Sequence, residues 1–413
     1  MKKLLILAIA ATLCFAVAMP ASAKVSVGGM VSIGYSYYDQ NDANQAGGYI
    51  NGTTLDVNGN PTSATNGTTQ TIFSLIRPLN QITVRYASDD NNLRGFIQIR
   101  GASERGSQTA AGALMVWNYS WIDWQITPNF YLRFGRMTQT AYMAAPGNVT
   151  GSAWTRQDNN GYRSPHGPSS IDGVKAYVKF NDMIRMELAA YNADDDSNEN
   201  INSGNEQSTW PRFDLAIPIS VAGWKFEPYG SWLRQNYDNV TAGEADKLDV
   251  WGVGVNVNGG YGPIVFAGAV SWGQNWGAGN TSIGSPANHI AAARQGTAYD
   301  SDGDGIFEGI SDADQWGWFA EAGVKFGPGR VMIVYGQLNM ENDQNPSTVN
   351  DDVKQDLSFF GIYAPIGIAK GFTMTPELMW YDQDGSAKNG VNNPNTIDRG
   401  EEFVFGVRVD LKF

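Results

Sequence analysis

The last thirteen residues, 401–413, constrain this chain more than any other stretch. Phe403, Phe405, Val407, Val409, Leu411 and Phe413 are apolar, while Glu402, Arg408, Asp410 and Lys412 stand between them. A period of two sustained over a dozen residues predicts a strand with one greasy and one wet face, longer than most strands of globular proteins. About 9 to 11 residues of tilted strand cross a bilayer, and this run is long enough to do so. Such a strand cannot keep a bare edge in lipid. It must pair with the first strand and close a cylinder.

The opposite end of the chain agrees. Lys2 and Lys3, an apolar run over residues 4–18, and Ala21-Ser22-Ala23 form a charged region, a hydrophobic region and a cleavage site. Residues 1–23 therefore read as an export signal, with Lys24 opening a single β-barrel domain over 24–413. The only cysteine, Cys14, lies inside that signal. The exported chain is thus expected to carry no disulfide and no cysteine metal site. Beyond the signal no apolar run approaches 18 residues, so the sequence predicts no transmembrane helix. The formal charge of −13 argues against a nucleic-acid partner. Aromatic residues make up 12% of an otherwise polar chain. That balance suits strands that show apolar residues to lipid and polar ones to water. A secreted β-sandwich or β-helix adhesin is the rival at this level.

Alternation recurs along the chain. Val25, Val27, Gly29, Val31, Ile33, Tyr35 and Tyr37 share one parity, and a long polar loop over 39–70 follows. Strands over 72–87 and 93–100 flank a turn at Ser88-Asp89-Asp90-Asn91-Asn92. If Ile82, Val84 and Tyr86 face lipid, then Arg77, Gln81, Thr83 and Arg85 face inward; Leu93, Ile97 and Ile99 likewise leave Arg94, Gln98 and Arg100 inside. A fourth strand over 114–126 has Met115, Trp117, Tyr119 and Trp121 on one face. The fifth, over 130–135, leaves Tyr131 and Arg133 inside. Residues 138–170 are not strand-like. The pattern resumes with Lys175, Tyr177 and Lys179 inward and continues to the closing strand. Short and long connections alternate, and the count comes to about sixteen strands, an even number that returns both ends to one side. Trp224, Trp232, Trp251, Trp272, Trp316, Trp318 and Trp380, with Phe180, Phe326, Phe372 and Phe413, fall where strands end, as interfacial rings do. Sandwich-core aromatics would cluster in mid-strand instead.

On this strand order the chain resembles the homotrimeric porins of the sixteen-stranded general bacterial porin superfamily. Its most specific local feature is Leu132-Arg133-Phe134-Gly135-Arg136 leading into a long third loop. The resemblance implies an all-β transmembrane antiparallel barrel in the bacterial outer membrane, with long extracellular loops and a third loop, 138–170, folded inward to narrow a water-filled channel. It also implies a homotrimer, contact with outer-membrane lipid and lipopolysaccharide, and reading of Phe413 by the barrel-assembly machinery. The acidic segment typical of many such porins is absent from the loop, which carries only Asp158, with Asp172 just after it. The expected constriction therefore sets Arg77, Arg85, Arg94, Arg100, Arg133 and Arg136 against Asp158 and Asp172, and passes small hydrophilic solutes and ions by diffusion. Strict alternation puts Arg136 on the lipid parity. It calls for a bulge at Gly135 or a position above the bilayer. A solute-specific, anion-selective channel is the alternative.

Two further constellations stand apart. Asp300, Asp302, Asp304 and Glu308 match the start of a D-x-D-x-D-G calcium loop, with oxygen ligands at positions 1, 3, 5 and 9. Ser311 occupies position 12, where that loop uses Glu, so an acidic solvated tip competes with a Ca²⁺ site. His166 and His289 are the only histidines, and no Ser-His-Asp or His-carboxylate spacing supports a barrel hydrolase. Asp194-Asp195-Asp196 and Asp351-Asp352 read as solvated loop charges.

Overall fold

The computed structural model describes residues 24–40, 70–75, 81–101, 115–144, 170–192, 206–207, 210–237, 247–275, 297–299, 309–342, 353–386 and 400–413. Among them, strand segments line up as sixteen staves. β1 is Lys24–Gln40; β2 is Gln70–Leu75 with Gln81–Ala87; β3 is Leu93–Gly101; β4 is Met115–Thr127. β5 is Phe130–Thr138, β6 Ser170–Lys179 and β7 Arg185–Tyr191; β8 comprises Glu206–Gln207, Arg212–Ala216 and Ile219–Val221. β9 is Trp224–Tyr237, β10 Lys247–Tyr261, β11 Ile264–Gln274 and β12 Ala313–Phe326. β13 is Gly329–Asn342, β14 Val353–Tyr363 with Ile366–Ala369, β15 Phe372–Ser386 and β16 Gly400–Lys412. Each stave pairs antiparallel with its neighbours in sequence, and β1 pairs with β16, with Ile33 opposite Val409. The sheet has no edge, as a wall in lipid requires.

The seam is tight. Gly29 N donates to the Phe413 carbonyl at 3.0 Å, and Phe413 N donates to the Gly29 carbonyl at 3.2 Å. The Phe413 ring lies across Gly29, where a Cβ would come within 2.6 Å of Phe413 Cζ. Only glycine leaves room for that ring.

Away from the long-connection ends, outward parity is largely apolar. Val27, Val84 and Ile97 follow one another across β1, β2 and β3, and Val253, Val270, Ile333, Phe360 and Phe405 are exposed on later staves. Trp251 and Trp272 meet edge to face at 5.5 Å beside the long connections, and Trp272 stands opposite Trp316. Phe180, Phe326 and Phe413 are exposed at the short-turn end. The interfacial rings thus sit where the alternation puts them.

Every connection at that end is short for a chemical reason. Gly262 (φ 58°) and Gly327 (φ 38°) supply the left-handed backbone that two-residue hairpins need. At 88–92 the Asp90 carboxylate accepts from Ser88 Oγ at 2.6 Å and Asn92 N at 3.1 Å. The Ser88 hydroxyl, then the Asn92 amide, hold the Asp90 carboxyl below the usual carboxylate range.

Two features depart from strict alternation. The register between β3 and β4 shifts between Gln98 and Ile99, so position 117 lies opposite Ile99 while Tyr119 lies opposite Gln98. One extra residue in β4 thus interrupts the strict alternation expected there. The second departure is larger. On β12 to β16 the inward positions include Phe319, Val334, Leu338, Phe359, Met379 and Val404, all at most 3% exposed. The inner wall is not polar all round, as a uniform wet bore would have it. These side chains lie over glycines of neighbouring staves: a Cβ at Gly336 would come within 2.8 Å of Phe319 Cβ. The inward glycines supply the space in which they pack, so β12 to β16 bury apolar side chains on the inner wall among Glu321, Glu377 and Asp410, while the charged arc with Arg85, Arg94, Arg133 and Lys175 spans β2 to β6.

Candidate functional site

On the charged arc one inward row runs across four staves. Arg94 stands opposite Asp123, Asp123 opposite Arg133, and Arg133 opposite Lys175. Arg133 donates from Nε to Asp123 Oδ1 at 2.6 Å and from a terminal nitrogen to Oδ2 at 2.9 Å. This fork fixes the guanidinium plane. Its carbon lies 3.7 Å from the Trp121 ring centroid and 5.2 Å from that of Tyr177, and Tyr177 stacks on Tyr131 at 4.1 Å. Lys175 Nζ is nearly buried, 3.6 Å from Glu187 Oε2, and donates to the Thr138 carbonyl at 3.1 Å.

The adjacent inward row carries Arg85, Phe96 and Trp121 in register. Arg85 sits 5.3 Å from the Phe96 centroid, and Phe96 stacks on Trp121 at 5.2 Å. Cations and rings thus mingle round the wall from β2 to β6, with Arg85 and Arg133 each lying over a ring. Trp121 faces the lumen on the parity of Asp123, where it packs against Arg133, Phe96 and the buried cluster of Met137, Ile171, Ala189 and Tyr191.

Of the arginines named from the sequence, Arg85, Arg94 and Arg133 share this arc. Arg85 and Arg94 are diagonal neighbours rather than opposite one another, since Arg85 faces Phe96 and Arg94 faces Ala87. Arg100 is half-buried and stands opposite Gln81. Arg136 is 3.4 Å from Asp172 Oδ2, and the pair keeps the outward parity of Phe134 and Val174 at the long-connection end of β5 and β6. No bulge occurs at Gly135; the register runs through it, and Gly135 takes φ 115° because an added Cβ would run into the Ser120 carbonyl. Arg77 and Asp158 lie outside the described residues.

The chain leaves β5 inward. Gln139, Thr140, Ala141 and Met143 are at most 4% exposed, and they lie against inward side chains of three other staves. Thr140 N and Ala141 N donate to Asp214 Oδ2 of β8 at 3.1 and 2.9 Å. Ala144 N donates to Asn256 Oδ1 of β10 at 2.8 Å, and Asn256 Nδ2 donates to the Tyr142 carbonyl at 3.0 Å. Thr140 Oγ1 and Tyr191 OH are 2.9 Å apart. Met143 approaches Gly317 of β12, where an added Cβ would sit 3.7 Å from its sulfur. Arg212 holds Asp214 in place through Nε at 3.0 Å. A buried carboxylate taking two main-chain amides is a strong tether. Asp123, Asp214 and Asn256 were not singled out from the sequence. Asp214 had one local signal, an acid between the outward Phe213 and Leu215.

Asp300, Asp302, Asp304, Glu308, His166 and His289 also lie outside the described residues. Thr297–Tyr299 and Gly309–Ser311, which flank the acidic motif, pair as a two-stranded ribbon. Among the described residues no group of three His, Cys, Asp or Glu is placed to hold a metal.

Comparison with known proteins adds three observations. A family model described as Gram-negative porin matches residues 8–363. No curated protein sequence matches. Similar solved structures include the outer membrane channel DcaP of Acinetobacter baumannii, at 15% identity and TM-score 0.61, covering 96% of this chain and 99% of that one. The anion-selective porin from Comamonas acidovorans has 12% identity and TM-score 0.55, covering 95% and 100%. OmpF of Salmonella typhi, in complex with daunomycin, has 12% identity and TM-score 0.54, covering 95% and 98%. At such identities the likeness is one of fold.

Proposed function

The chain belongs to the Gram-negative porin family, an outer-membrane channel for passive solute diffusion rather than an enzyme, and on that premise we propose that solutes are selected between the inturned segment after β5 and the cationic arc of β2 to β6. The observation that carries this reading is the tether of Thr140 and Ala141 to Asp214. It draws the chain off the wall and across the bore, which narrows the water path for solutes of any charge. The wall beside that path carries Arg85, Arg94 and Arg133, and Asp123 neutralises only Arg133 among them. A cationic wall raises the local concentration of anions and orients dipolar solutes. Anion preference is therefore favoured over an unselective pore.

Single-channel recording in planar bilayers tests both parts. Discrete openings with a reversal potential on the anion side of zero, under a salt gradient, are expected. Openings with cation preference would refute the selective wall, and no openings would refute the channel.

The same proposal covers the assembly. Residues 1–23 are an export signal removed from a single barrel domain; the small aliphatic outer face of Val27, Gly29 and Val31 packs in a homotrimer; and lipid, lipopolysaccharide and the barrel-assembly machinery meet the outer wall and Phe413. Asp300, Asp302, Asp304 and Glu308 bind Ca²⁺ on the strength of their spacing alone. Titration calorimetry showing no heat of Ca²⁺ binding would reject that site.

A further inference from the structure

We propose that the inner wall at the short-turn end of β1 to β3 carries a subsite for planar aromatic carboxylates, built by Arg85 and Arg94 over a floor of small residues. This rests on the channel reading above but asks a different question, namely which anions dwell on the wall once the pore is open.

Arg85 and Arg94 differ from Arg133, Lys175 and Arg212. Arg133 is forked onto Asp123, Lys175 sits beside Glu187, and Arg212 is held by Asp214. Arg85 and Arg94 are exposed, and among the described residues neither has a carboxylate within ion-pair distance. Asp123 stands next to Arg94 in the ladder, yet both its oxygens are taken by Arg133. Two guanidinium groups therefore face the bore with their charge uncompensated. Diagonal neighbours across a strand pair are roughly 7–8 Å apart at the backbone, within reach of one small anion for side chains this long.

The surroundings set the shape of that anion. The Arg85 guanidinium carbon lies over the Phe96 ring, 5.3 Å from its centroid, and Trp121 backs that ring in turn. Across β1 the inward neighbour of Arg85 is Ser26, and the other inward positions around it are Lys24, Gly28, Thr83 and Ala87. Ser26, Gly28, Thr83 and Ala87 are small and leave room over the guanidinium toward the lumen, and the exposed Lys24 adds a further cation beside it. A guanidinium stacked on a ring keeps its in-plane N–H groups free and can take a second ring on its other face. A flat aromatic solute fits that slot above Ser26 and Gly28, with its carboxylate reaching the N–H groups of Arg94. An aliphatic ring of equal charge and size has no π-face to offer. It gains the charge contact and not the stack.

The test uses the full mature protein in planar bilayers, with benzoate and cyclohexanecarboxylate as paired probes added from the short-turn side. Benzoate is expected to reduce chloride current at a concentration about fivefold lower than cyclohexanecarboxylate, the ratio that one added cation–π contact provides. Arg94→Gln should raise the blocking concentration of both probes about tenfold, as loss of a charge-assisted hydrogen bond does. Arg85→Lys keeps the charge but loses the flat face, and should bring the two probes to equal potency. Ser26→Trp fills the slot and should do the same with both arginines intact, so the outcome does not hang on one variant inserting correctly. Equal potency of the probes on the unaltered channel would overturn the aromatic preference, and unchanged block in Arg94→Gln would overturn the location. Either result leaves the channel reading standing, which falls only if no openings occur.

Discussion

Replacing Asp214 by alanine should widen the channel. In the native protein Asp214 Oδ2 accepts from the amides of Thr140 and Ala141, and the carboxylate is closed off by Arg212. Each hydrogen bond to a buried charge is worth about 1.5–3 kcal/mol. Losing two at the low end of that range weakens the tether by about 3 kcal/mol, or roughly a hundredfold in the balance between held and released segment. The Asn256 bonds and the Thr140 to Tyr191 contact remain, so release should be intermittent. Single-channel traces should show excursions to a larger conductance, and adding Asn256→Ala should make the larger level predominate. Asp214→Ala also breaks the buried ion pair of Arg212, which keeps Ser231 Oγ at 3.0 Å, and breaking a buried pair costs at most about 3–5 kcal/mol. Arg212→Met in the same background removes that penalty without restoring the tether, so the larger conductance should persist while thermal stability recovers. A conductance and open-channel noise indistinguishable from the native channel, in a folded Asp214→Ala protein, would refute the tether as the cause of narrowing.

Other outcomes follow from the same geometry. Asp123→Asn discharges the one acid forked onto Arg133 and should move the reversal potential further toward anions; an unmoved potential would mean that this row does not see the permeating ions. Gly135→Ala forces a side chain into φ 115° against the Ser120 carbonyl and should cost about 1–3 kcal/mol, read as a lower unfolding midpoint, with no change counting against the strain. The exported chain is expected to lack cysteine, so single cysteines can map the bore. Arg94→Cys should react with a charged thiol reagent from the aqueous phase and change the current, while Val334→Cys, at a buried position, should not.

Much of this architecture is legible in period and punctuation. Alternation in 25–37 and 403–413 gives the first and last staves, and the short polar turns give the end at which they meet. What escaped was anything that depends on which residues meet across the bore. Residues 331–335, Val-Met-Ile-Val-Tyr, read without interruption as apolar, which is the mark of a strand buried on both sides. An expectation of one wet face hid the buried apolar inner positions that they announce. Trp121 looks like a lipid-facing ring until Phe96 and Arg133 are seen against it. Asp214 lies 74 residues from Thr140, and no local pattern tells that its partners are main-chain amides. The arginines were legible as an inward set, but which keep their charge depends on where Asp123 and Asp172 fall in the register.

The joint between Gly29 and Phe413 sets an order of events. All other neighbouring staves are adjacent in sequence and can form as hairpins, whereas this one brings together the two most distant described parts of the molecule. Relative to a ten-residue hairpin, closing so long a span costs about 3 kcal/mol more in chain entropy, so this pairing is the slowest to find and the last to form. Until then a sheet of fifteen joints carries two raw margins, each able to graft onto another chain. The ring that settles over Gly29 marks the moment at which that hazard ends.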